Sequence, residues 1–94
     1  MMKIYLLRTN AYNAVVITDG KTAKIFDGAP TGYFAGVDLY APDAEAKLRK
    51  RYADAERNGT IENDYYSIYS DYELPASEIA AELENLEPIY ERNR

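Results

Sequence analysis

Between Glu62 and Pro75 the chain reads Glu-Asn-Asp-Tyr-Tyr-Ser-Ile-Tyr-Ser-Asp-Tyr-Glu-Leu-Pro, four tyrosines and four acids in fourteen residues. Tyrosine joins an apolar ring to a polar tip, and carboxylates attract cations. The combination suits a surface that captures a partner better than a site that breaks bonds. Read as a strand, the stretch puts Tyr66, Ile68, Ser70, Tyr72 and Leu74 on one face and Tyr65, Ser67, Tyr69, Asp71 and Glu73 on the other. Read as a helix, it aligns Ile61, Tyr65, Ile68 and Tyr72, with Tyr69 beside them. The alternation and tyrosine's β preference favour a strand over 65–73. Tyr66, Ile68, Tyr72 and Leu74 are then expected to pack inward. Tyr65, Tyr69, Asp71 and Glu73 face either water, as covers for cross-strand neighbours, or a partner.

Negative charge continues past Pro75 with Glu78, Glu82, Glu84, Glu87 and Glu91. Glu78 and Glu82 repel mildly at i, i+4 with no lysine nearby to offset them. This array is either a solvated helix face or, joined to Asp64, Asp71 and Glu73, a set of charges standing in for nucleic-acid phosphates in a basic groove. The expected partner-binding set is Tyr65, Tyr69, Asp71, Glu73, Glu78 and Glu82. The partner expected for this set is a basic, nucleic-acid-binding protein, and the chain itself is expected to contact neither nucleic acid nor membrane. Self-association as a homodimer stays open.

The one dense basic run is Lys47, Arg49, Lys50 and Arg51. Cations against phosphates release counterions, so the alternative is a small DNA-binding or toxin-antitoxin regulator using a basic helix over 43–57. Asp43, Glu45, Asp54 and Glu56 flank the run on the same helix and argue for a solvated face instead.

Catalysis has few candidates. The 94 residues contain no histidine and no cysteine, which removes the usual general base, Ser-His-Asp and Cys-His triads, disulfides and thiolate zinc sites. Carboxylates, Lys, Tyr, Ser and Thr remain for catalysis, and a pair among Asp38, Asp43, Asp64 and Asp71 is the acid-base option, but no pair stands out, and a chain this short has little room for a deep pocket. The glycines at 28, 32 and 36 lack the Gly-Lys-Ser/Thr ending of a phosphate-binding loop, and no Asp-x-Asp-x-Asp-Gly calcium pattern occurs. A non-enzymatic protein with neither metal nor cofactor is expected. The N-terminal apolar run is too short for a signal peptide and no segment is long enough to span a bilayer, so the expected compartment is the cytoplasm.

The elements that must position these residues form a single α+β domain over 1–94. Lys3–Arg8 reads as a first strand. Ala14–Thr18 and Lys21–Phe26 flank Asp19-Gly20, a pair suited to a two-residue type I′ turn, which predicts an antiparallel hairpin over 14–26 with Val16 opposite Ala23 and Ala14 opposite Ile25. Both faces of that hairpin are partly apolar. Val37–Tyr40 is a short strand or the lead into a helix. Pro42 opens a helix over 42–58, with Ala44, Leu48, Tyr52 and Ala55 on one face and Asn58-Gly59 as its stop. Pro75 opens a second over 75–87, with Ala76, Ile79, Ala80, Leu83 and Leu86 in a stripe; Pro88 breaks it, and Ile89 and Tyr90 pack beyond. The fold expected is a small antiparallel sheet packed by these two helices.

Charge is uneven along the chain: residues 1–59 hold nine Lys/Arg against seven Asp/Glu, net +2, and residues 60–94 two against nine, net −7, which together make the −5 of the whole. In size, acidity, lack of cysteine and histidine, and tyrosine content, with ten tyrosines among twelve aromatics, the chain resembles the small inhibitors that phages and mobile elements direct against bacterial defence systems, anti-CRISPR proteins among them. The resemblance implies binding to an effector's nucleic-acid groove or a block on its assembly. It rests on composition, so it carries no residue roles with it.

Overall fold

The computed structural model describes residues 1–28, 33–61 and 70–92. Strands β1 (Met2–Arg8), β2 (Asn13–Thr18) and β3 (Thr22–Asp27) carry apolar side chains on both faces, the pattern of strands covered from two sides. With β6 (Tyr72–Pro75) and β7 (Tyr90–Arg92) they form a five-stranded sheet in the order β6-β3-β2-β1-β7, each neighbouring pair antiparallel. A separate two-stranded hairpin joins β4 (Tyr33–Phe34) to β5 (Val37–Asp38).

The β2–β3 hairpin forms with a different turn from the one its sequence suggests. Thr18 pairs with Ala23 and Val16 with Ile25, so the connection between the strands is residues 19–21, and the register lies two residues from the expected one. Side chains explain the difference. The Asp19 carboxylate accepts the N–H groups of Lys21 and Thr22, both at 2.8 Å, while the Thr18 hydroxyl donates to the Thr22 carbonyl at 2.8 Å and accepts the Gly20 N–H at 3.0 Å. These local bonds organise the wider loop, with only Gly20 at positive φ. A shift of two residues leaves every side chain on its original face. The type I′ pattern of two consecutive positive φ angles occurs instead at Ala35 (55°) and Gly36 (82°), between β4 and β5.

The sheet is covered on both sides. Helix α1 (Ala44–Asn58) presents Ala44, Leu48 and Tyr52, all buried, and stops at Gly59, whose left-handed backbone (φ 71°) sends its N–H to the carbonyls of Ala55 and Glu56. It begins two residues after Pro42, which lies in the turn leading to it. On this side Ile4, Leu6, Val15 and Ile17 of the sheet meet Val37, Leu39, Leu48, Tyr52, Ile61 and Ile89. On the other side Tyr5, Leu7, Ala14, Val16, Ala23 and Ile25 meet Ile79, with Tyr12, Leu74, Leu83 and Leu86 half-buried around them.

The cover on that second side corrects the helix expected over 75–87. Strand β6 runs through Pro75, followed by one 3-10 turn (Ala76–Glu78) and a four-residue helix α2 (Ala80–Leu83). Ile79 sits between them with φ −117° and ψ 3°, outside helical geometry. An edge strand tolerates proline at its end, and a short run rich in like-charged glutamates has little local drive to propagate a helix. Beyond Pro88 the expectation holds: Ile89 is buried and its N–H donates to the Ile4 carbonyl at 2.7 Å, leading into β7. The strand expected over 65–73 is described only at its end. Tyr65, Tyr66, Ile68 and Tyr69 lie outside the described residues, and the strand seen is Tyr72–Pro75.

Candidate functional site

Strand alternation sends Ile25 and Asp27 of β3, and Tyr72 and Leu74 of β6, to the side away from α1. The backbone turns after Pro75 and lays Ile79 across Ile25, which brings Glu78 and Glu82 to the rim. Tyr12 arrives from the β1–β2 connection, held by a turn in which the Thr9 hydroxyl donates to the Tyr12 carbonyl at 2.9 Å and accepts the Tyr12 N–H at 2.9 Å. The result is a groove of about 360 Å³ with an apolar floor of Ile25, Leu74 and Ile79, tyrosines 12 and 72, and the carboxylates of Asp27, Glu78 and Glu82. No lysine or arginine is among its described lining residues.

Glu78 and Glu82 thus come together, whereas the rest of the expected set divides. Asp71 belongs to the sheet edge: its N–H donates to the Ile25 carbonyl at 2.9 Å, and its carboxylate accepts the Asp27 N–H at 2.8 Å, so a side chain continues the β3–β6 ladder past the strand end. Glu73 is one residue out of step with Tyr72 and Leu74; it pairs with Lys24 across the strands and lies on the opposite face. Tyr65 and Tyr69 lie outside the described residues.

Tyr72 shares a face with Leu74, as the alternation requires, but the inward packing expected of it is not found. It is 54% exposed, because β6 is an edge strand and the short helical cover stops before reaching it. Sequence reasoning also missed Tyr12 and Asp27. Their signal was the alternation with Ile25 and the position of Tyr12 directly before a buried strand, and neither marks a residue as functional without the fold.

The basic run on α1 is engaged along its own helix. Lys47 pairs with Asp43 at 3.3 Å, Arg49 with Glu45 at 3.3 Å and Lys50 with Asp54 at 2.8 Å, and Arg57 also reaches Asp54. The Lys50 hydrogen bond, with the charges of Lys50 and Arg57, outweighs desolvation and holds the Asp54 carboxyl below its ordinary value. Arg51 lies over the Tyr52 ring, 5.8 Å from its centre. Exposed pairs of this kind contribute little stability, but they offset the positive charge of the helix.

A second concavity, of about 400 Å³, lies at the other end of the same cover, between Met1, Tyr5, Ala80, Leu83 and Leu86. It differs in charge, since Lys3 lines it and pairs with Glu91 at 3.5 Å. Among the described residues no group of acids is placed to hold a metal ion, and no helix is long and apolar enough to cross a membrane. No protein-family model, curated protein or solved structure matches the chain.

Proposed function

We propose that the protein is a non-enzymatic, protein-binding inhibitor that occupies a basic, nucleic-acid-binding partner in the cytoplasm, in the manner of the anti-defence proteins it resembles in composition. The observation that supports this reading is the groove beside β6. Three carboxylates and two tyrosines converge there over an apolar floor with no cation among the described lining. Rings bury much area for little conformational entropy, and carboxylates set around them favour a basic surface over any other. The same charges exclude phosphates, so the protein competes with nucleic acid rather than binding it. Helix α1 supports the DNA-binding alternative less well, because Lys47 is paired with Asp43 directly before the helix, and Arg49 and Lys50 with acids of the helix itself.

Capture from a bacterial lysate tests the proposal. The expected result is recovery of a basic nucleic-acid-binding protein whose nucleic-acid retention falls as this chain is added, with capture weakening at high salt. Recovery of a partner that keeps its nucleic acid overturns the inhibitory reading. Direct, salt-sensitive retention of DNA by the chain itself, lost on replacing Lys47, Lys50 and Arg51, establishes the alternative.

A further inference from the structure

We infer that the groove between β6 and the Ala76–Leu83 turns is a cleft for one arginine side chain presented by a basic peptide segment of the partner. This deepens the inhibitory reading and rests on it for the partner's identity, but not for the chemistry of the cleft. The first argument is charge complementarity. Asp27, Glu78 and Glu82 line the groove and its described lining residues include no lysine or arginine, whereas the concavity at the other end of the same cover contains its own lysine. Glu78 and Glu82 are exposed, four residues apart, and make no ion pair among the described residues. Their mutual repulsion is relieved when a cation enters.

The floor supplies the second argument. Ile25, Leu74 and Ile79 form an apolar surface under the carboxylates, which fits a side chain with a methylene stem and a charged end and fits a bare inorganic cation poorly. A wholly apolar side chain fits poorly too, because it would strip water from the rim carboxylates and offer nothing in return. Tyrosines 12 and 72 favour guanidinium over ammonium: arginine is planar and weakly hydrated, stacks on rings, and presents forked donors to carboxylates. At about 360 Å³ the groove accommodates one such side chain and its immediate backbone.

The test is a titration of the isotopically labelled full chain with the peptide acetyl-Gly-Leu-Arg-Leu-Gly-amide, followed by two-dimensional NMR. Its partners are the same peptide with lysine, and with citrulline, which keeps the shape of arginine and removes the charge. Saturable shifts are expected at Tyr12, Ile25, Tyr72, Leu74 and Ile79, with the citrulline peptide weaker by about tenfold and the lysine peptide by about threefold. The double variant Glu78→Gln/Glu82→Gln, both exposed positions, is expected to keep the native spectrum and to weaken the arginine peptide by about tenfold while leaving the citrulline peptide unchanged. Equal binding of arginine and citrulline, shifts centred on the other concavity or on α1, or no saturable shift overturns the cleft. If a nucleic-acid-binding partner is captured and inhibited with undiminished affinity by the double variant, the inhibitory reading survives and the cleft does not. If the arginine peptide binds as described and no such partner is captured, the cleft survives and the inhibitory reading does not.

Discussion

The two faces of the central sheet are built from the same three strands and are buried almost equally, yet one is covered by a long helix and the other by two short turns. Ile4, Val15 and Ile17 on the α1 side have no exposed surface, and neither do Ala14, Val16 and Ala23 on the other. The covers make the difference. Helix α1 sets Ala44, Leu48 and Tyr52 into the sheet over three turns, each with no exposure. Among the described residues the opposite cover buries only Ile79, which keeps 5% exposure, with Leu83 and Leu86 half-buried and Ala80 exposed. A continuous helix repeats its apolar stripe every turn, whereas two short turns joined at a non-helical residue supply one anchor and leave space at both ends. Concave surface arises where the cover runs out, and the acids and tyrosines are at one such end.

The largest effect expected from this contrast is at Leu48. Leu48→Ala removes a buried side chain from a rigidly held helix, which cannot collapse into the space. A loss of about 3–4 kcal/mol in urea unfolding is expected. Ile79→Ala is smaller, at about 2 kcal/mol, because its cover is short and free to settle onto the sheet. Its local consequence is sharper: amide exchange is expected to quicken across residues 76–86 while α1 stays protected. If Ile79→Ala costs as much as Leu48→Ala, or opens both sides together, the two covers are one cooperative unit and the contrast fails.

Much of this architecture was legible in the sequence, for reasons that can be named. The α1 stripe of Ala44, Leu48 and Tyr52 and its Gly59 stop are local signals, and local signals determine helix ends well. The hairpin faces were legible because Val15 and Ile17 alternate with Ala14 and Val16. The register was not, because the bonds from Thr18 and Asp19 that widen the loop involve side-chain geometry rather than pattern. The second cover misled for a related reason. Ile79, Leu83 and Leu86 have helical spacing, but a 3-10 turn and a short helix can present the same three residues to a sheet. Of the site, Glu78 and Glu82 were found by charge alone. Tyr12 comes from the β1–β2 connection and Asp27 from the end of β3, both far away in sequence, and no local feature joins them to residues 72–82.

Asp71 provides the finest test of where the groove side ends. Its carboxylate continues the ladder by accepting the Asp27 N–H, so its structural part depends on an oxygen acceptor and any binding part depends on its charge. Asparagine separates these, since it keeps the acceptor and loses the charge, while alanine loses both. Asp71→Ala is expected to cost about 1 kcal/mol and to speed exchange at the Asp27 amide, and Asp71→Asn to cost less than about 0.5 kcal/mol with that amide still protected. If Asp71→Asn nevertheless weakens partner capture as much as Glu78→Gln/Glu82→Gln does, the Asp71 charge belongs to the binding surface, which then extends past the groove onto the sheet edge. If capture falls only with Asp71→Ala, in step with exchange at Asp27, Asp71 acts by holding β3 and β6 together, and the groove is bounded by the side chains that line it.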